Sequence, residues 1–240
     1  MKRLKILCQM SLMMTLFGFS TLSFAGLVLE GTRVIYPAGE SEVTVRMKNT
    51  GSLPVLAQSW IDNGVKNETP DKIASVFVLT PPINRVNAGK GQTLRISLLA
   101  ENTLPQDKES VFYLNVLAIP TKSKESIDAS QINIAFKTRI KLFYRPDSLK
   151  GSANDAPNLL RWSINGSGIT ATNPTPYYVT LSEVSYTSGG KKVVSPGQMI
   201  SPGGSRDFHF SGVNQISSAD SIEYASINDF GGLNKYKVKK

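Results

Sequence analysis

Apolar and polar residues alternate along most of this chain. The longest such run is INIAFKTRIKLFYRP, Ile132 to Pro146, with apolar residues at 132, 134, 136, 140, 142 and 144. A period of two predicts a β-strand with one apolar face, because successive side chains point to opposite sides of a sheet. A typical strand has about 5 to 6 residues, whereas this run would reach on the order of 45 to 50 Å at about 3.3 Å per residue. One small domain does not need all of it. Lys137, Arg139, Lys141 and Arg145 are interleaved with the apolar positions.

Shorter alternating runs recur upstream: LVLEGTRVIY, EVTVRMKN, PVLAQSWI, SVFVL, TLRISLL and SVFYLNVLAI, separated by turn clusters such as Pro37-Ala38-Gly39 and Asn49-Thr50-Gly51-Ser52. With the long run as the last, seven strands predict an immunoglobulin-like sandwich of two antiparallel sheets, with Trp60 as its buried aromatic. After Tyr144 the residues Pro146, Gly151, Asn154, Asp155 and Pro157 break regular structure. LLRWSI, GITATN, YYVTLSEVSY, KKVVS, RDFHF and SIEYASIN then predict a second, smaller β-sandwich, so the fold class is all-β with domains over residues 26–146 and 147–240.

The first 25 residues follow another logic. Lys2, Arg3 and Lys5 precede an apolar run from Ile6 to Phe19 and a Ser23-Phe24-Ala25 cleavage site, the pattern of a secretory signal peptide. An uncleaved anchor is the weaker alternative, since a membrane-spanning helix needs about 20 apolar residues. Cleavage before Gly26 removes Cys8, so the exported chain would have no cysteine and no disulfide. It would keep 215 residues and a formal charge of +6, because three of the 27 Lys and Arg residues are lost. The basic residues are scattered and export separates them from cytosolic nucleic acid, which argues against a nucleic-acid partner.

Catalytic chemistry has little to stand on. The lone histidine, His209, alternates with Phe208 and Phe210 in a predicted strand and reads as structural or surface. No Cys or His set suits zinc, and no phosphate-binding motif occurs. Gly89-Lys90-Gly91 reads as a turn. The expectation is a protein that is not an enzyme and has no cofactor and no metal.

One segment is more specific. LPQDKESVFYLNVLAIPT, Leu104 to Thr121, with Tyr113, Asn115 and Ile119-Pro120, resembles the signature of the periplasmic chaperones of the chaperone-usher pathway, which assemble pili. Thr121 departs from it, standing where the family usually has Pro, Ala or Ser. TRVIY, KTRIKLFYRP, NPTPYYVT at 173–180 and INDFGG at 227–232 extend the resemblance over the whole mature chain.

The resemblance implies two immunoglobulin-like domains set at an angle, like a boomerang, located in the periplasm. It implies a client, a pilus subunit whose sandwich lacks its final strand, and an outer-membrane usher that receives it. The chaperone fills the subunit's open groove with alternating residues of its own last strand, an instance of β-strand addition. On this sequence the donated residues are Ile132, Ile134 and Phe136, and Arg33 and Lys141 resemble the basic pair that anchors the subunit's C-terminal carboxylate. Glu109, Arg145 and Asp229 match an interdomain ion-pair network. Lys141 is odd-numbered and the donated residues even, so a bulge or twist between Phe136 and Lys141 is expected to reconcile them. Only ten residues, Thr121 to Ser130, separate the penultimate and last strands of the first domain, which matches the short-loop branch serving rod-like pili. The free protein has the option of capping its exposed strand by dimerising. A secreted two-domain adhesin or pilus structural subunit is the alternative, and a carbohydrate-binding module a weaker third.

Overall fold

In a computed structural model, residues 26–65, 73, 75–99, 104–121, 134–216, 218 and 221–238 are described. Residues 1–25, expected to be a signal peptide, and Ile132, expected to be donated, lie outside them. The first domain is built from β1 (Leu27–Leu29), β2 (Arg33–Pro37), β3 (Val43–Asn49), β4 (Val55–Asp62), β5 (Phe77–Thr80), β6 (Ile83–Val86), β7 (Gly91–Leu98), β8 (Ser110–Pro120) and β9 (Phe136–Arg145). Two sheets face each other, one in the order β1-β3-β7-β5 and the other β2-β9-β8-β4-β6. Tyr36, Met47, Leu94, Ile96, Leu114, Leu142 and Tyr144 fill the space between them and are essentially inaccessible to solvent. Burying an apolar side chain of this size contributes roughly 1.5 to 3 kcal/mol, which offsets the conformational entropy lost on ordering the chain.

The expected first strand is two strands. Gly31 adopts φ +122°, a conformation that side chains other than glycine rarely take. The chain turns there: β1 joins β3 in one sheet while β2 crosses to the edge of the other. There β2 lies parallel to β9, pairing Arg33 with Lys141 through Pro37 with Arg145. This corrects the expectation of two purely antiparallel sheets; the crossover brings the chain alongside its own last strand in the same direction.

Trp60 is also corrected. In β4 the residues Val55, Ala57, Ser59 and Ile61 face the core, so Trp60 falls on the opposite face and is only half-buried. The aromatic core position is taken by Tyr36, whose ring meets Phe77 and Tyr144. Its hydroxyl accepts from the Leu98 amide and donates to the Ser41 carbonyl, so burial leaves no polar atom unpaired.

The second domain contains β10 (Arg161–Asn165), β11 (Gly168–Thr172), β12 (Val179–Ser188), β13 (Lys191–Pro196), β14 (Met199–Ile200), β15 (Ser205–His209), β16 (Ile222–Ile227) and β17 (Leu233–Lys237). One sheet runs β10-β11-β15; the other runs β13-β12-β16-β17, with β14 also paired to β12. Tyr186, Ile169, Ile200, Phe208 and Ile222 form its core. His209 is exposed beside the buried Phe208, as the alternation of β15 requires. The connector holds a 3-10 turn at Ala156–Leu159, and Ala156 and Leu160 pack into this second core.

Candidate functional site

The face of the five-stranded sheet that points away from the first core carries a row of polar side chains. Cross-strand pairing aligns Arg33 on β2, Lys141 on β9, Tyr113 on β8 and Asp62 on β4. Asp62 is buried and accepts hydrogen bonds from Asn115 Nδ2 at 2.7 Å, Arg139 Nη2 at 2.6 Å and the Gly64 amide at 2.8 Å. The Arg139 guanidinium also lies 4.1 Å from the centre of the Tyr113 ring. Arg139 is thereby neutralised.

Arg33 and Lys141 are not. Among the described residues neither makes a salt bridge. Arg33 Nη1 donates to the Ile227 carbonyl at 3.0 Å, while its Nε is buried without a hydrogen-bond partner. Burial lowers the pKa of Lys141, and repulsion from Arg33 lowers it further. Burial also lowers that of Arg33, outweighing the attraction of Asp229 and Glu109. Two half-buried cations side by side, neither in a salt bridge among the described residues, can accept an anion, and a carboxylate placed there would gain charge-assisted hydrogen bonds.

Beside this pair lies an open strand edge. One side of β9 is paired with β8 from Phe136 to Tyr144. On its other side β2 covers only Lys141 to Arg145, so the stretch from Phe136 to Ile140 has no strand partner on that side among the described residues. Ile134 and Phe136 are 59% and 69% exposed. They continue the row of Ile140, Leu142 and Tyr144 beyond the end of the core. The expected bulge is absent: the β8–β9 register is unbroken from Phe136 through Lys141. The apolar row and Lys141 therefore occupy opposite faces of one regular strand.

Glu109, Arg145 and Asp229 come together where the domains meet. Arg145 Nε lies 2.6 Å from Glu109 Oε1, and its Nη1 and Nη2 reach the two oxygens of Asp229 at 2.7 and 3.0 Å. Glu109 is buried, and its second oxygen accepts from the Tyr178 amide at 2.7 Å. Burial pushes the Glu109 carboxyl up despite Arg145. Burial also works against the Arg145 charge, but Asp229 and Glu109 together outweigh it and raise its pKa. The guanidinium thus gains from two carboxylates at once.

Sequence reasoning passed over Asp62, Arg139 and Tyr178 as site residues. Tyr178 lies within the NPTPYYVT segment and packs its ring 5.8 Å from that of Phe143. Asp62 and Arg139 are 77 positions apart and are joined only by strand pairing. Local alternation carries no signal for that pair.

Residues 26–150 match the family described as pili and flagellar-assembly chaperone, PapD N-terminal domain, and residues 155–238 match the pili assembly chaperone PapD, C-terminal domain. The chain is 42% identical over 224 residues to the probable fimbrial chaperone YadV of Escherichia coli K12, covering 91% of each. The crystal structure of YadV superposes with a TM-score of 0.75 at 38% identity, over 89% of this chain and 100% of that one. The periplasmic chaperone SfaE matches with a TM-score of 0.68 at 32% identity, over 88% and 98%. The SafB chaperone of Salmonella enterica, solved in complex with the SafA pilin, gives 0.73 at 30% identity, over 91% and 99%. Two PapD-type domains, matched in order along the chain, show that it belongs to the family of periplasmic pilus-assembly chaperones, a family of chaperones and not of enzymes.

Proposed function

We propose that this chain binds unfinished pilus subunits in the periplasm by adding β9 to their incomplete sandwich, and hands them to an outer-membrane usher. The observation that carries this reading is the open edge of β9 running into two cations that make no salt bridge among the described residues. A client carboxylate sits between Arg33 and Lys141, and Ile132, Ile134 and Phe136 fill the client's groove. A client strand that ends at Lys141 and lies along Phe136–Ile140 must run parallel to β9, taking up the line that β2 leaves open. Main-chain hydrogen bonds then set the register while the apolar side chains enter the groove.

Residues 1–25 act in this reading as the signal peptide, 26–146 as the client-binding domain and 147–240 as the second domain, joined by the Glu109–Arg145–Asp229 network. The protein falls in the short-loop branch and serves rod-like pili. Without a client, the β9 edge pairs with a second copy of the chain. The pilin complex of the SafB chaperone supports the client class.

Co-expression with the subunits of its own assembly system tests the reading. A one-to-one soluble complex is expected from the wild type and not from Lys141→Ala. An adhesin would yield no such complex, and amorphous capsule without rods under the electron microscope would overturn the short-loop assignment.

A further inference from the structure

We infer that Phe230 is a further client-binding residue, offering an apolar surface to the last residues of the chain whose carboxylate Arg33 and Lys141 hold; this rests on the client reading above. Phe230 is 90% exposed, in the turn between β16 and β17. Single exposed apolar side chains are ordinary on protein surfaces. This one is set apart by how tightly its turn is held and by what the turn is held against.

The turn is closed at its base. The Asn228 amide donates to the Gly232 carbonyl at 2.9 Å, and the Gly231 amide donates back to the Asn228 carbonyl at 2.9 Å. Asn228 Oδ1 accepts from the amides of Phe230 and Gly232 at 3.1 and 2.9 Å. Three of its residues then touch the first domain. The Ile227 carbonyl accepts from Arg33, Asp229 binds Arg145 through both oxygens, and Gly231 packs against Thr32. Gly231 is required there twice over, because φ is +83° and a Cβ would meet the Thr32 hydroxyl.

Phe230 stands in the middle of these clamps. The fold fixes the backbone on either side of the phenyl and leaves the ring itself in water. A polar residue would serve the turn equally well, so the apolar choice points to a partner. Its place selects which one. Phe230 is three residues from the carbonyl that Arg33 holds, a span of at most about 11 Å. A chain end seated on Arg33 and Lys141 brings its final residues within reach of the ring.

Photocrosslinking tests this in the full-length chaperone. Benzoylphenylalanine is placed at position 230, the protein is co-expressed with the subunits of its own assembly system, and adducts are mapped by mass spectrometry after irradiation. The expected adduct is on the last few residues of a pilus subunit. An adduct elsewhere on the subunit, on a second chaperone or on the usher overturns the inference, as does no adduct while a subunit co-purifies. Phe230→Ser provides the second measurement. It is expected to raise the Kd of the purified chaperone–subunit complex about ten-fold and to leave the melting temperature of the free chaperone unchanged; an unchanged Kd overturns the inference. Lys141→Ala in parallel separates the two ideas. Loss of subunit there with no effect at Phe230 refutes Phe230 alone, whereas retention of subunit in Lys141→Ala refutes the carboxylate anchor.

Discussion

Arg33 and Lys141 face each other across the first rung of the parallel β2–β9 ladder, two cations side by side without a salt bridge among the described residues. Each is partly withdrawn from water and has its pKa lowered by burial, and repulsion from Arg33 lowers that of Lys141 further. Such a pair opposes folding of the free protein. Arg145, a few residues away, shows the contrast: there the same sheet supplies a cation together with carboxylates to hold it.

Lys141→Met is therefore expected to abolish subunit recovery without harming the free chaperone. The sign follows from the lowered pKa. Lys141 costs stability at pH values below its folded pKa, and that cost fades as pH rises through it toward the unfolded value of about 10.4. At pH 7 the variant should melt at the wild-type temperature or up to about 4 °C higher. Thermal melts alongside pulldowns check this; a lower melting point would give Lys141 a structural role instead.

Ile134→Asp and Phe136→Asp should each eliminate client binding by placing a charge in an apolar groove. Both positions are exposed in the free protein, so its unfolding free energy should change by less than about 0.5 kcal/mol. Lys137→Asp, on the alternate face, should bind far better than either. Equal binding by all three folded variants, measured by pulldown with circular dichroism as control, would return the apolar row to the first domain.

Arg145→Ala should leave the Glu109 charge buried without its guanidinium and destabilise the chain by about 3 kcal/mol at pH 7. A second change, Glu109→Gln, should recover part of that loss. The pKa of Glu109 is already raised by burial, so its ionised form costs stability above the folded pKa, and the cost is relieved as pH falls through that value. The deficit of Arg145→Ala should accordingly be smaller at pH 5 than at pH 7. Urea denaturation at the two pH values decides, and identical deficits would contradict the argument.

Asp62→Ala should destabilise the first domain by about 2 to 3 kcal/mol, since it strands the Asn115 amide and the Arg139 guanidinium together. It also frees a third cation on the face that carries Arg33 and Lys141. Subunit release by added salt should then begin at a different salt concentration from the wild type. Chemical denaturation and salt-dependent elution measure the two effects separately.

Much of this was legible in the alternation of apolar residues, and the reasons for the exceptions are physical. β3 and β7 each bury one face against a core, so a period of two marks them plainly. β6 and β17 were missed because their side chains are mostly exposed and impose no such period. Trp60 was misplaced by size: a large aromatic suggests a core, but the phase of β4 is set by Val55, Ala57 and Ile61. Arg33 and Lys141 entered through resemblance, and their adjacency needs a parallel pairing that no local pattern specifies. Of the bulge or twist invoked for Lys141, the bulge is absent: the unbroken β8–β9 register leaves the apolar side chains on one face and the cation on the other.

The turn at Gly31 sends the residues before Arg33 to another sheet, and so decides where β2 begins. A client strand lying parallel along Phe136–Ile140 would meet that beginning end to end, as two planks meet in a butt joint. In that arrangement an extension of the client's end would have to displace the chaperone's own strand. An affinity tag at a subunit's C-terminus would then block capture outright, while the same tag at its N-terminus would pass unnoticed.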